Sequence, residues 1–599
     1  MPYLVGLITI GLSLTDKLSF FRILFGHLFI LIFAGWPLAG RIFKSSSVID
    51  RLLSSSLISI LLTYPATVLV ALVEGKSGQA IFSPHLTTSL FILLSISWLS
   101  AFIAPKKISH PPTFPPKPTI SLTQPLLFSL FIFSFFSFTK LGYANVYGDE
   151  YDLGYQAYNL VDGIQAGRNA YLLSYSGHPP LTMSLKHYSL NLLEPKGLDH
   201  LSDWHFRFSE ALLGLLTLVA VFALSSQFFS TKVANLAVLI LATNNYFIWL
   251  GRIFHREMLL TFLLTLTVYY FFKVTKAKRL YLFAGLSLGA ALLVKETALV
   301  LMPTLLLLTP RKQLSRPFLI AFLIFLPVVL YNILAFLVTG YADVFFSNLF
   351  GVYRPGATPR DDLNLLPQII SIATYLIDLF SPLVLLALTA SVVFSLKDNK
   401  ARPLIAWIVI TLLFFLLTAV RGYYFVILAI PLVIITARRL TALPRIFTSA
   451  IAVTIVLLSS FYSFNTHIRR QDTVLDEPRN IDGSVFVPVS WNQTKSSVAI
   501  GWAYNHGWLQ LLKALASLPP ESSCVTVDDS LNSLAVRRYL SLNDDIKAYY
   551  LGKYPSRFPR CLPNSDGVLV SKKHLTSPVL STISDSRLTP QFFLYHFSP

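Results

Sequence analysis

Long apolar runs, broken by short clusters of charge, set the pattern of this chain. A membrane-crossing helix needs a run of about 17–25 predominantly apolar residues. Such runs lie near 20–40, 52–74 and 86–104. They recur near 126–142, 206–228, 233–250, 257–273, 280–294, 297–309, 317–340, 367–396, 404–420, 424–437 and 446–464. The pattern predicts a polytopic α-helical membrane protein with about 11 core spans and three or four extra N-terminal spans. Residues 3–14 are apolar but short. They fit a signal-like start, a half-span, or a short span paired with the next one. No small-residue cleavage site follows them, so the reading is retention.

The interruptions divide the chain. Pro105 to Pro125 includes Pro111, Pro112, Pro115, Pro116 and Pro118 with Lys106, Lys107 and Lys117. Proline at this density cannot continue a helix, so the stretch reads as a linker. The expected parts are an N-terminal transmembrane module over 1–105 with no role assigned, and a Pro-rich cytoplasmic linker over 106–125. A transmembrane core over 126–464 follows, with a polar loop at 143–205, and then a small α/β domain over 465–599. In that tail, Trp508–Leu518 and Ser530–Leu540 read as helices, and Cys524–Val527 and Gly567–Val570 as strands. Nothing in the tail has the look of a catalytic constellation.

Composition changes the picture by exclusion. Hydrophobic residues are 54% of the 599 and charged residues 13%, where a soluble surface needs roughly 25%. Mean hydropathy is +0.62. A cytosolic enzyme, a disordered scaffold and a disulfide-rich secreted module are all ruled out. The formal charge is +19, from 48 basic and 29 acidic residues. In a soluble protein this would suggest nucleic acid; here the loops account for it. One alternating set holds Arg41, Lys44, Arg51, Lys106, Lys107, Lys117, Lys232, Lys273, Lys276, Lys278, Arg279, Arg311, Lys312, Arg316, Lys397, Lys400, Arg402, Arg438, Arg439 and Arg445. Only Asp50 and Asp398 oppose them, so this set carries about +18 and reads as cytoplasmic by the positive-inside rule. The other connections, and the tail, then face outward. Cys524 and Cys561 fall in the tail, where a disulfide and two free thiols are both open readings.

The outward polar groups carry the candidate chemistry. The loop at 143–205 begins Tyr147-Gly148-Asp149-Glu150-Tyr151 directly after a span. A carboxylate there is placed to take a proton from an incoming hydroxyl or amine. The same pair also fits a plain helix N-terminus, where acidic residues favour the dipole. Asp152, Tyr155, Tyr158, Leu160 and Ile164 follow at the spacing of an amphipathic surface helix. Ser176-Gly177-His178-Pro179-Pro180-Leu181 makes a rigid turn; His178 suits a substrate hydrogen bond or a structural one. Arg207 opens the next span. The turn Gly251-Arg252-Ile253-Phe254-His255-Arg256-Glu257 packs four ionisable groups between apolar spans, which is costly unless they pair or bind something. Arg252 and Arg256 suit phosphate, and Glu257 suits holding them or an acceptor. Lys295-Glu296 breaks an overlong run and fits a phosphate contact or a hairpin turn. Arg421-Gly422-Tyr423-Tyr424, Arg354 and Arg360 add positive charge.

In order and placement these motifs resemble the polytopic GT-C glycosyltransferases that use polyprenyl-phosphate sugars, in the branch of protein O-mannosyltransferases and lipid A aminoarabinose transferases. The resemblance covers roughly 126–464. It is carried by Asp149-Glu150, His178-Pro179-Pro180-Leu181, Arg207, Arg252 through Thr261, Gly285-Leu286-Ser287-Leu288-Gly289 leading to Lys295, and Arg421 to Pro431. It implies Asp149 as catalytic base with Glu150 beside it, and Glu257 at a position where the family usually has Asp. It implies Arg252, Arg256, Lys295 and Arg421 as contacts for the donor phosphate, and His178 and Arg207 as acceptor or loop positioning. The implied donor is a polyprenyl-phosphate sugar and the implied acceptor a protein, lipid or glycan, with no nucleic acid as partner. No cofactor is required in this branch; a divalent metal occurs in some GT-C enzymes, but no carboxylate cluster calls for one. The implied setting is the plasma (inner) membrane of a prokaryote, with site and tail extracytoplasmic. A flippase or transporter of lipid-linked glycans, and a glycan polymerase or ligase, are the competing readings.

Overall fold

In a computed structural model the chain is described over residues 2–14, 18–42, 47–77, 85–103, 123–141, 148–161, 180–194, 201–274, 280–308, 311–339, 365–380, 382–417, 422–464, 467–468, 524–527, 547–550, 567–571, 579–584 and 590–597. Among the described residues, six helices are long and apolar enough to cross a membrane, and shorter apolar helices accompany them. The protein is an α-helical membrane protein.

The N-terminal part contains α1 (Pro2–Ser13), α2 (Ser19–Leu28), α3 (Trp36–Ile42), α4 (Val48–Ser77) and α5 (His85–Ile103). The short run at 3–14 is thus a helix, packed on α2 and α5. The run at 20–40 passes through a π turn, Phe29–Phe33, before α3. Gly35 follows it, and a Cβ there would lie 2.2 Å from the Ser55 carbonyl of α4. Only glycine admits that approach.

The core begins with α6 (Gln124–Phe138), whose N-terminus is capped by Thr123 through the Leu126 amide. Two helices lie within the first polar loop, α7 (Gly148–Tyr158) and α8 (Pro180–Leu193). Then come α9 (Asp203–Phe228), α10 (Thr231–Thr243), α11 (Asn245–Leu250), α12 (Glu257–Val274) and α13 (Tyr281–Leu292). Asn244 breaks the run at 233–250 by capping α11 through the Phe247 amide at 3.0 Å. The series continues with α14 (Met302–Leu308), α15 (Arg311–Thr339), α16 (Leu365–Phe380), α17 (Pro382–Ser395), α18 (Arg402–Leu417), α19 (Val426–Leu440) and α20 (Arg445–Phe464). The expected single run at 367–396 is two helices. Pro382 starts the second, where its missing N–H costs nothing.

Packing in the core runs α9 on α12, α12 on α13 and α13 on α15, while α19 packs on α10, α17 and α18. The Gly285 to Gly289 motif serves the third contact. A Cβ on Gly285 would meet Ile320 Cβ at 2.6 Å and the Pro317 carbonyl at 2.7 Å. Small residues let helix backbones approach in this way.

Beyond the helices lies a five-stranded sheet in the order β2-β1-β3-β5-β4. Its strands are β1 (Cys524–Val527), β2 (Lys547–Tyr550), β3 (Gly567–Ser571), β4 (Val579–Ser584) and β5 (Pro590–Phe597). β1 runs parallel to β2 and β3, and β5 antiparallel to β3 and β4. Both strands read from the sequence are present. The expected helices at 508–518 and 530–540, and Cys561, lie outside the described residues.

The N-terminal helices are not held apart from the core. α4 packs on α8, α9 and α13, and α2 and α5 also pack on α8. At one end of α12, Lys273 Nζ donates to Asp50 Oδ1 of α4 at 2.6 Å, and the Tyr269 hydroxyl donates to the same oxygen. Ser54 and Tyr270 join hydroxyls at 2.8 Å one turn further on. Asp50 and Lys273 are mostly buried. Removing one partner strands the other, so Asp50→Leu should cost on the order of 2 kcal/mol, below the ~3–5 kcal/mol of a fully buried pair. The double variant Asp50→Leu/Lys273→Met should recover most of the loss, measured as the thermal unfolding midpoint in detergent. Equal midpoints for wild type and Asp50→Leu would show that the pair does not anchor α4.

Candidate functional site

The ionisable groups of the first polar loop meet those of the 251–257 turn at one end of the helical body. α7 opens at Gly148, and Glu150 sits in its first turn, fully buried. Arg207 of α9 meets it fork to fork, Nε to Oε1 at 2.9 Å and Nη2 to Oε2 at 2.7 Å. Arg207 Nη1 also donates to the Leu141 carbonyl at 3.2 Å. Glu150 Oε1 accepts a third bond, from the Phe254 amide at 2.7 Å. The carboxylate is therefore occupied by positioning: it ties α7 to α9 and to the turn. Arg207 thereby holds Glu150 in place.

Arg252 is also fully buried, and its Nη1 and Nη2 groups donate to the backbone. Nη1 reaches the carbonyls of Phe136 at 2.5 Å, Thr139 at 2.8 Å and Ser137 at 3.2 Å, and Nη2 that of Lys140 at 3.1 Å. The last carbonyls of a helix have no intrahelical donor, and positive charge is favoured at that end. Arg252 caps α6, where the chain turns through Lys140 at φ 54°. The phosphate contact expected of it is replaced by this cap. His467 lies nearby, its Nε2 bonded to the Asn245 carbonyl at 3.1 Å. Burial, and then the Arg252 charge, hold its pKa well below the ordinary value, so it adds no positive charge.

Glu257 begins α12 and is buried. Its Oε1 accepts from Lys295 Nζ at 2.6 Å, and its Oε2 pairs with His255 Nδ1. Lys295 sits between α13 and a 3-10 turn, Glu296–Leu301, in extended conformation. The charge does break the long run there. Its ammonium also lies 3.7 Å from the centre of the Tyr424 ring, a cation–π contact. Arg256 is half-buried.

Two groups escaped the sequence reading. Lys186 of α8 donates to Glu210 of α9 at 2.5 Å, both buried, and stands 3.4 Å from the centre of the Phe254 ring. Burial pushes the Lys186 ammonium down from its ordinary pKa, while Glu210 and then Glu150 push it back up. The signal was present. Glu210 is an ionisable residue inside an apolar span, and such residues call for a partner. Among the described residues this end assembles the cations Lys186, Arg207, Arg252, Arg256 and Lys295 against the carboxylates Glu150, Glu210 and Glu257. For Asp149 only the backbone is described, in the first turn of α7; His178, Arg354, Arg360 and Arg421 lie outside the described residues.

Comparison with known proteins bears on this arrangement. No curated protein matches the chain. Among solved structures it is similar to ArnT from Cupriavidus metallidurans in the apo state, at 14% identity and TM-score 0.46, covering 79% of this chain and 97% of that one. ArnT bound to undecaprenyl phosphate aligns with 14% identity and TM-score 0.46, over 79% of this chain and 96% of that one. The archaeal oligosaccharyltransferase AglB from Archaeoglobus fulgidus, in complex with an inhibitory peptide and a dolichol-phosphate, aligns with 12% identity and TM-score 0.41, over 69% and 63%. A family model, the dolichyl-phosphate-mannose-protein mannosyltransferases, matches residues 178–334. That segment runs from His178 through Lys186, Arg207, Glu210, the 251–257 turn and Lys295. The resemblance read from the motifs therefore holds: across the segment that builds the charged end, this chain is similar to the dolichyl-phosphate-mannose-protein mannosyltransferases.

Proposed function

We propose that the protein is a membrane glycosyltransferase. It moves a sugar from a polyprenyl-phosphate donor to an acceptor protein, lipid or glycan on the extracytoplasmic face. The observation that carries this reading is the cluster of buried cations and carboxylates gathered around the 251–257 turn next to α7. A phosphate ester brought there would meet positive charge at a site with little water to screen it.

The step is a single displacement with inversion. Asp149 takes the proton from the acceptor hydroxyl or amine. The acceptor atom forms its bond to the anomeric carbon as the bond from that carbon to the phosphate oxygen breaks. The electron pair leaves with the polyprenyl phosphate, whose developing charge Lys295, Arg256 and Arg421 stabilise. Glu257 holds Lys295 by accepting from its ammonium and is the positioning partner of that contact. Arg252 is assigned no part in the displacement, because its Nη1 and Nη2 groups cap α6. The Glu150–Arg207 fork supports the role of Asp149 indirectly. It fixes the backbone one residue away, so a base at 149 has its approach set by a neighbour that cannot swing.

Asp149→Asn should lower the rate of transfer by about 10²–10⁴-fold, the span of general-base catalysis. Its thermal midpoint should be unchanged. A purified variant tested with a defined polyprenyl-phosphate sugar checks this, and wild-type transfer by Asp149→Asn would remove the base from the mechanism. Labelled lipid crossing reconstituted vesicles without new glycosidic product would favour the transporter reading instead. Arg207→Met should instead act on folding. It strands the Glu150 carboxylate in a dry site, which costs about 3–5 kcal/mol. The pair Glu150→Leu/Arg207→Met should regain much of that stability without regaining transfer. Detergent melting curves for the single and double variants separate the two effects.

A further inference from the structure

The element that the mechanism leaves unused is α8. Every residue from Pro180 to Leu193 is buried, including Lys186, His187, Tyr188 and Asn191. At its N-terminal end, the Leu181 amide donates to the Leu293 carbonyl at 3.4 Å, two residues before Lys295. Along its length it ties to α7. His187 Nδ1 meets the Ala157 carbonyl at 3.0 Å, and the Tyr158 hydroxyl donates to the Glu194 carbonyl at 2.9 Å. Lys186 meets Glu210 and Phe254 in the charged cluster. α8 thus touches the Lys295 segment, the 251–257 turn and the helix whose first turn carries Asp149.

Its remaining contacts belong to the N-terminal module. Arg22 of α2, itself 3% exposed, donates from Nε to the Leu192 carbonyl at 2.9 Å and from Nη2 to the Leu193 carbonyl at 3.3 Å. Those are the last carbonyls of α8, which lack an intrahelical donor. His27 presents Nδ1 to the Ile23 carbonyl at 2.8 Å and Nε2 to the Ser189 hydroxyl at 2.9 Å. A ring nitrogen facing a carbonyl must donate, so in the neutral ring Nε2 accepts from Ser189. The Tyr188 hydroxyl donates to the Ser89 carbonyl of α5 at 3.1 Å. At Gly26 a Cβ would lie 2.4 Å from Leu192 Cδ2.

We propose that the N-terminal module is a brace for the candidate site, and that Arg22 is its positioning residue, capping the C-terminus of α8 and so holding α7 and the Lys295 segment in register. The effect on activity rests on the transferase reading; the effect on α8 does not. A helix end buried without donors frays, and Arg22 supplies donors from a segment otherwise remote in the chain. The loosened helix then loses its hold on the Ala157 carbonyl and on the alignment of Asp149.

The test uses the full chain in nanodiscs, with Arg22→Leu, Arg22→Lys and Gly26→Val compared with wild type. Amide hydrogen exchange should rise over 181–193 and 148–161 in Arg22→Leu and Gly26→Val, while α12 and α13 stay protected. Arg22→Lys keeps a donor at the helix end and should restore most of the protection. For transfer, kcat should fall about 10–100-fold in Arg22→Leu, with KM for the polyprenyl-phosphate sugar changing less than about 3-fold, since misplacement of a catalytic group acts on the reacting geometry. Unchanged exchange over 181–193 in both Arg22→Leu and Gly26→Val overturns the brace. Exchange rising equally in every helix also overturns it, because Arg22 would then be a general stability residue. If wild type transfers no sugar from the donor, the exchange result still decides the brace, and the transferase reading fails separately.

Discussion

The charged end of the protein depends on how one carboxylate is satisfied. Glu150 accepts from both arms of Arg207 and from the Phe254 amide, with neither side chain exposed. Taking these ions out of water costs several kcal/mol each, and a lone ion pair often fails to recover that. Here the paired fork geometry and the third, backbone bond satisfy most of the carboxylate's accepting capacity. The consequence is geometric more than energetic. An apolar pair of similar volume would fill the space, but it would not fix the register of α7 against both α9 and the 251–257 turn.

That register decides what the neighbouring charges are for. Arg252 and Arg256 are close in sequence and chemically alike, yet Arg252 faces a helix end with orphan carbonyls. Its role follows from that end, not from its own chemistry. Lys295 is different in kind. A carboxylate and an aromatic face meet its ammonium. Arginine at 252 closes a helix end; lysine at 295 joins a carboxylate to an aromatic face.

The legibility of this architecture in sequence follows the same division. The helices were visible because lipid imposes a length and an apolarity on each crossing. The breaks at Lys295 and before Pro382 divide in the same way: a charge interrupts hydropathy and was read, while a proline inside an apolar run leaves hydropathy unchanged and was missed. The motif residues Glu150, Arg207, Glu257 and Lys295 were legible as candidates, because charge near a membrane boundary is costly without a task. Their pairings were not, since Glu150 and Arg207 lie 57 residues apart and Arg252 and Phe136 lie 116 apart. Helix α8 was read past entirely. Lys186, His187 and Asn191 give it the composition of a solvated surface helix, and only tertiary contacts bury it.

Those contacts also join the N-terminal helices to the core. α12 carries Glu257 in its first turn and Lys273 in its last, and a helix of 18 residues spans about 27 Å at 1.5 Å per residue. α4 grips the Lys273 end through Asp50 and Ser54, while α2 and α5 grip α8, whose own N-terminal end is bonded beside Lys295. The two grips fall on different helices of the core. A hinge at either one alone would have to break polar bonds at the other, in surroundings that offer few replacements. The module is thereby fixed in tilt as well as in position, and a helix that would otherwise lie loosely on a membrane surface becomes part of the packed interior.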